Sequence, residues 1–395
     1  MKRIIFSLLV VLRSLVAFCS LLYGPWAGAP QRESITLSWV ASPPTSVVVQ
    51  YGPLPSYLDT GEFLFSTTYQ PTGASEREIV HFVLTDLQPN TWYVYCLVFP
   101  DGETTPLGTF RTAPEPGEPV SFAVVSDTQW QWDEPNRVQM VATAMANDPW
   151  AFHFVLHGGD LVETPIPSHW EFFFRSMAPI LRWAPLLPVL GNHERDSLTY
   201  YQHFALPAGE GRLGKRWWAL HWGDVVVVGL DSNAKTPQDY LDQLAWVRTN
   251  LSGPEPYKIV IFHHPVFSSD ASYGPGAEGL QRLWHPVFAE LGVDLVLSGH
   301  AHNYERIERD GVTYLVVGGG GANAYPLAST RLEGSKVGIS GWHFYVAIRA
   351  DSQGLNVRTV GVAQVRAERV IPWRETLDAF TLPATSWSER PDLNR

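Results

Sequence analysis

From residue 120 onward, five short apolar runs each stop within a few positions of a residue that can bind a metal ion. Residues 121–125 lead to Asp127, residues 152–156 to Asp160 through Gly158-Gly159, and residues 186–190 to Asn192-His193. Residues 258–262 lead to His263-His264, and residues 293–297 to His300 and His302 across Ser298-Gly299. Runs this short and β-branched read as buried strands. The stretches 136–147, 237–251 and 278–291 between them carry helical spacing. Strands alternating with helices predict an α/β domain. In an open sheet of that kind the carboxyl ends of the strands share one edge, where ligands bind. A single Asp after a strand is ordinarily a helix cap or turn residue. Five such placements along one edge point instead to a site.

The candidate donors are oxygen and nitrogen atoms with no thiolate, a set that suits Zn, Mn, Fe or Co. His300 and His302 follow a glycine that lets the backbone turn sharply. Their two imidazoles can therefore reach neighbouring points, as two cations about 3.5–4 Å apart would require. Asp160, with two carboxylate oxygens, can bridge such a pair.

Composition fits a folded enzyme-sized chain. Of 395 residues 45% are apolar and 17% charged, which excludes a disordered chain and leads us to expect two domains. Lys and Arg number 28 against 39 Asp and Glu, a net charge of −11. No general attraction to nucleic acid follows from that balance. A small anionic substrate would need a local positive charge, which metal ions supply.

Residues 1–29 read as a secretory leader that is either cleaved or kept as a membrane anchor. Lys2-Arg3 opens it, apolar runs follow on both sides of Arg13, and Ala27-Gly28-Ala29 gives a small-residue cleavage pattern. The chain is expected to be secreted or periplasmic. Its two cysteines, Cys19 and Cys96, leave no disulfide once a leader is removed. Residues 33–113 carry short strand-like runs punctuated by Pro, Gly, Asn and Asp, which predicts an all-β module. The Pro-rich segment 114–119 reads as a linker. The α/β domain is expected over 120–365, with the strands after 304 closing a second sheet. Residues 366–395 are expected to wrap the surface or hang loose. Gly318-Gly319-Gly320-Gly321 lacks the Lys-Ser/Thr of a phosphate loop and reads as a flexible turn.

The order Asp127, Gly159-Asp160, Gly191-Asn192-His193-Glu194, His263-His264-Pro265 and Gly299-His300-Ala301-His302 resembles the signature of calcineurin-like metallophosphoesterases. The continuation Asn303-Tyr304-Glu305-Arg306 narrows the resemblance to the purple acid phosphatase branch. Leu87-Gln88-Pro89-Asn90-Thr91-Trp92-Tyr93 in the preceding module resembles a fibronectin type III corner. The resemblance implies a four-layer α-β-β-α sandwich behind a fibronectin type III-like sandwich. It implies two divalent or trivalent ions, Fe, Zn or Mn. Asp127 and His302 would hold the first, Asn192, His263 and His300 the second, and Asp160 would bridge them. His193 would protonate the leaving group, His264 would contact the substrate phosphate, and Glu194 would orient His193. The implied reaction is hydrolysis of phosphomonoesters or small phosphodiesters by in-line attack of a metal-held hydroxide.

Two positions depart from the family pattern. Glu163 stands where purple acid phosphatases carry a metal-binding Tyr, which puts the purple colour and a ferric first ion in doubt. Gln129 stands where other metallophosphoesterases place a His, and either ligates through its carbonyl oxygen or is a plain loop residue. Trp130 and Trp132 either wall the substrate cleft or pack as ordinary aromatics. The rival reading is an exported binding protein that uses its fibronectin-like module and keeps a vestigial metal centre.

Overall fold

The computed structural model describes residues 20–73, 76–129, 135–366 and 369–384. Trp130 and Trp132 lie outside the described residues. The N-terminal module is a β-sandwich of a three-stranded and a four-stranded sheet. Ser20–Gly28, Ile35–Ser42 and Glu78–Leu84 form the first, and Phe65–Tyr69, Val47–Pro53, Trp92–Val98 and Gly108–Arg111 the second. Leu37, Trp39, Val47, Val49, Tyr95 and Phe110 fill the space between them. The Tyr93 hydroxyl accepts the Gln88 amide at 2.8 Å, as a tyrosine corner requires.

The first strand corrects the expected boundary at residue 29. Ser20–Gly28 pairs antiparallel with Ile35–Ser42, so a cut after Ala29 would remove an edge strand. That strand also fastens the two domains together. Tyr23 and Trp26 are buried, and both stack on Phe174 of the second domain at 5.1 and 4.0 Å between centroids.

The second domain packs a six-stranded and an eight-stranded sheet face to face. The first runs in the order Leu186–Pro188, Phe154–His157, Val120–Val125, Trp342–Asp351, Gly354–Arg366, Arg369–Leu382. The second contains a parallel block of Val225–Gly229, Tyr257–Ile261, Leu295–Ser298 and Val312–Val317. Period-two alternation decides what each strand buries. Val225, Val227, Ile259, Ile261, Leu295 and Leu297 meet Phe122, Phe154 and the rest of the inter-sheet core. Val226, Val228, Val260 and Val296 face the other way, onto Val247, Trp284 and Phe288 of the helical layer. The outcome is the four-layer arrangement of helices, sheet, sheet and helices.

The helices follow from local chemistry. Asn136 caps Arg137–Ala146 by accepting the Gln139 amide at 3.0 Å, and Val138, Val141, Ala142 and Met145 bury one face. The single helix expected over 278–291 is instead two, Glu278–Leu283 and His285–Glu290. Pro286 has no N–H to return to the Arg282 carbonyl, so the helix breaks there.

The strands after residue 304 do not form one second sheet. Tyr304–Arg309, Val312–Val317 and Ser335–Ile339 join the eight-stranded sheet, whereas Trp342–Asp351 and Gly354–Arg366 join the six-stranded one. The tail is likewise corrected. Arg369–Leu382 is a strand paired with Gly354–Arg366, and Asp378 accepts from the Tyr304 hydroxyl at 2.7 Å and Arg306 Nε at 2.9 Å. Among the described residues, no helix is long and apolar enough to cross a membrane.

Candidate metal centre

Parallel strands put their carboxyl ends at one edge, and both sheets turn that edge the same way. Val125 pairs with His157 in one sheet and Ile261 with Leu297 in the other. The loops after these strands are bonded to each other directly. The Asp127 amide donates to the Gly159 carbonyl at 3.1 Å, and the Thr128 and Gln129 amides both donate to the Asp160 carbonyl. The His300 amide donates to the Asp127 carboxylate at 3.0 Å, and the Gly299 amide to the His263 carbonyl at 2.9 Å. Gly299 has to be glycine, because a Cβ there would run into Ser126 and the Asp127 carboxylate. Asp127, Asp160 and His300 take φ of 60°, 53° and 67°, left-handed values that cost a non-glycine residue about 1–3 kcal/mol each. The inter-loop bonds hold them there.

Four of the expected ligands, Asp160, Asn192, His263 and His300, converge on one point. Asp160 Oδ2 lies 3.1 Å from His263 Nε2. Asn192 Oδ1 lies 3.0 Å from His263 Nε2 and 3.0 Å from His300 Nδ1. Donor atoms of Asp160, His263 and His300 all fall within 4.8 Å of one another, the spacing of a metal cluster. Beside it, Asp127 Oδ1 is 3.4 Å from His302 Nε2. Gln129 Nε2 is 3.2 Å from His302 Nε2 and 3.3 Å from Asp160 Oδ2.

Two features test whether these residues fit metal ions. His263 Nδ1 sits 2.9 Å from the Gly158 carbonyl, and His302 Nδ1 sits 2.7 Å from the Asn323 carbonyl. A carbonyl can only accept, so both Nδ1 atoms carry a proton and Nε2 is the nitrogen each ring turns to the cluster, the one that ligates once a cation replaces any proton there. The buried Gln129 Oε1 has no hydrogen-bond partner. A buried amide oxygen without a donor is costly, and a flip of the amide, which exchanges the oxygen with the Nε2 that now faces His302 and Asp160, would offer that oxygen to a cation. The donor set therefore fits.

The electrostatics show the same concentration of charge. Asp127 is desolvated, yet the His302 hydrogen bond and charge, with His263 beyond, hold its carboxyl well below the usual range. His263 is also desolvated, but the Asp160 carboxylate against it pushes it up to about 9. Burial pulls His264 down to about 3 and His300 to about 4, with the His263 charge acting in the same direction.

Glu194 does not touch His193 and so does not orient it. Its carboxylate is fully buried and accepts four backbone amides, from Asp160 at 2.9 Å, Leu161 at 2.8 Å, Val162 at 3.2 Å and Gly191 at 2.7 Å. Burial and the nearby Asp160 charge push this carboxyl up to about 7, and the Gly191 and Val162 amides oppose that. Its task is to clamp the turn that carries the bridging carboxylate. His193 is placed by two others. Its amide donates to Asp160 Oδ1 at 2.9 Å, and its Nδ1 lies 2.9 Å from the Glu163 carbonyl and 3.5 Å from Glu163 Oε2. Glu163 therefore faces the imidazole.

Ser232 escaped sequence reading, and Gly318–Gly321, Asn303 and Glu305 have roles that their sequence did not show. Ser232 accepts the His264 amide at 2.9 Å and faces His264 Nδ1 at 2.9 Å. It follows the strand Val225–Gly229, so the strand-end signal applied to it too. The Gly318–Gly321 segment is a tight packing turn and not a flexible one. The Gly320 amide donates to the Ser126 carbonyl, and a Cβ on Gly318 would strike Ala301. Asn303 and Glu305 brace a neighbouring loop, through Asp270 at 2.8 Å and the Ser269 amide at 2.6 Å.

Comparison with known proteins agrees with this architecture. Residues 120–304 match the calcineurin-like phosphoesterase family and residues 25–112 the purple acid phosphatase N-terminal domain. An uncharacterized protein of Mycobacterium tuberculosis is 29% identical over 271 residues, 59% of this chain and 51% of that one. Purple acid phosphatase 18 of Arabidopsis thaliana is 26% identical over 338 residues, 75% of this chain and 73% of that one. This chain spans about half the length of the mycobacterial relative. Among solved structures, a purple acid phosphatase from yellow lupin superposes with a TM-score of 0.70 at 19% identity, covering 91% of this chain and 74% of that one. PhoD superposes with a TM-score of 0.71 at 14% identity, covering 92% and 90%. At such identities the two superpositions speak for the fold.

Proposed function

The chain belongs to the calcineurin-like metallophosphoesterases, in their purple acid phosphatase branch, and from that premise we propose that it hydrolyses small phosphate esters at a dinuclear metal centre. Asp127, His302 and Gln129 would hold one ion, Asn192, His263 and His300 the other, and Asp160 would lie between them. The observation that carries this reading is the convergence of Asp160, Asn192, His263 and His300 from four separate strand ends, beside an amide oxygen of Gln129 that has no donor. Such ions, when bound, lower the pKa of a water and neutralise charge on a phosphoryl group.

The protein's own residues supply the rest. With its Nδ1 proton on the Glu163 carbonyl, His193 turns Nε2 toward the site, 3.8 Å from Asp160 Oδ2. Protonated there, it would give that proton to the departing alkoxide, a step worth about 10²–10⁴-fold. The Ser232 oxygen already accepts the His264 amide, so its hydroxyl proton is free for His264 Nδ1. That tautomer leaves Nε2–H as a donor for a phosphate oxygen. The apolar segment before residue 20 supports export as the location.

The test is metal analysis of the purified protein together with turnover of a chromogenic phosphate ester. About two ions per chain and metal-dependent turnover are expected. Protein that takes up no ion and cleaves no ester with Zn, Mn or Fe present overturns the reading.

A further inference from the structure

Two tyrosines stand over the histidines of the centre, and neither has a part in holding a metal or moving a proton. The Tyr325 ring lies nearly parallel to His302, 4.0 Å away at 15°. The Tyr273 ring sits 4.5 Å from His300 at 57°, and 5.7 Å from Tyr325. Tyr325 is half-buried, while Tyr273 is 42% exposed.

Backbone bonds fix both rings in place. The Tyr325 amide donates to the His302 carbonyl at 2.9 Å. Asp270 accepts the Ser272 and Tyr273 amides at 2.8 and 2.9 Å, and Asn303 in turn holds the Asp270 carboxylate. The two loops are joined by Ala271 donating to Pro326 at 3.0 Å and Ala328 to Ser269 at 2.7 Å. A large apolar ring exposed to solvent has no packing purpose of its own. One held rigidly beside a catalytic centre presents a flat face to whatever binds there.

We infer that Tyr273, backed by Tyr325, is a specificity wall that favours phosphate esters with a planar aromatic leaving group. The inference rests on the phosphoesterase reading. The phosphate would sit at the donor cluster beside His300, and the aromatic group would stack on the exposed Tyr273 face. Tyr325 keeps the wall from yielding, since it is packed between Tyr273 and His302. The ring is the recognition element; the Tyr273 hydroxyl hydrogen-bonds Tyr325, and losing that bond is expected to leave the stacking face in place.

The test compares metal-loaded wild type, Tyr273→Ala and Tyr273→Phe on phenyl phosphate and cyclohexyl phosphate. These esters differ little in ring size but differ in flatness and in leaving-group acidity, and the second difference cancels when the ratio in a variant is divided by the ratio in wild type. The ratio of kcat/KM for phenyl over cyclohexyl ester should fall about 3- to 10-fold in Tyr273→Ala, mainly through KM, as aromatic contacts of this kind predict. Tyr273→Phe should restore the ratio. Calorimetric titration gives a readout without turnover. Phenylphosphonate should bind wild type more tightly than methylphosphonate does, and Tyr273→Ala should erase the difference. An unchanged ratio in Tyr273→Ala, with both esters still cleaved, overturns the inference and leaves the phosphoesterase reading standing. Wild type that cleaves neither ester overturns the phosphoesterase reading, and the two phosphonates then decide the wall: equal affinities overturn it as well.

Discussion

Replacing Glu194 with Gln removes one charge and turns one acceptor into a donor. The four amides that point at this carboxylate divide evenly, with Leu161 and Val162 on Oε1 and Asp160 and Gly191 on Oε2. Whichever way a Gln side chain flips, its NH2 faces two N–H groups. The less costly flip keeps the bonds to Asp160 and Gly191 and abandons Leu161 and Val162. Hydrogen bonds to a charged group contribute about 1.5–3 kcal/mol each, so losing two costs about 3–6 kcal/mol. In a domain of this size 1 kcal/mol moves the melting midpoint by roughly 2–4 °C, which predicts a fall of about 6–24 °C. The assay is a circular dichroism melt of chelator-treated protein at pH 8.5, above the raised value of this carboxyl, so that the group is the anion and loss of metal is not confused with loss of the clamp. Glu194→Ala, which leaves all four donors without a partner, should fall at least as far. A Glu194→Gln midpoint within about 2 °C of wild type would refute the argument, because the turn would then not depend on an anion.

His193→Ala should slow esters of poor leaving groups far more than activated aryl esters, by about 10²-fold or more against less than 10-fold. Equal losses on both substrates would remove His193 from the acid role. Burial pulls His153 down to about 3 and His203 to about 4, below the ordinary 6.5. The unfolded chain therefore takes up protons at these residues before the folded one does, and stability is lost as pH falls from about 6.5 toward 4. Between pH 7 and pH 5 each contributes about 2 kcal/mol of that loss. Urea midpoints at the two pH values measure it, and a His203→Phe variant should show a shallower pH slope. A slope equal to that of wild type would mean His203 is not the group titrating.

Legibility in the sequence depended on how local each determinant is. Asp127, Asp160, His263 and His300 were readable because a β-branched run and its stop are neighbours in the chain. The strands Val120–Val125, Tyr257–Ile261 and Leu295–Ser298 begin or end within about two residues of the positions read from the sequence. Glu194 was misread because its partners, the amides of Asp160 to Val162, lie 32 to 34 residues earlier. Only the fold shows that they face it. Ser20–Gly28 read as leader because a sandwich edge strand and a secretory core are both apolar. The distinguishing facts are that Tyr23 and Trp26 meet Phe174 and that the strand pairs with Ile35–Ser42. Arg369–Leu382 showed no period because it is an edge strand with most of its side chains exposed. What makes it a strand is Gly354–Arg366 beside it.

The residues missed outside the ligand set share one physical role, which explains both their burial and their obscurity. Three ligands sit in left-handed backbone, a conformation their own sequence does not favour. Something has to hold them, and local turn chemistry is too weak to do so. The structure uses long-range bonds: Glu194 to the Asp160 turn, the Asp127 carboxylate to the His300 amide, Ser232 to His264, and the Asn323 carbonyl to His302. These links join loops from both sheets, so the donors are arrayed by the protein before any ion arrives. A cation entering such a site does not have to order the chain, and its binding energy goes into affinity instead of loop closure. The same reasoning assigns the Asn303–Glu305 segment its place. Having passed the last ligand, the chain turns back to brace the loop of Tyr273, so the motif that ends the metal site also builds the wall beside it.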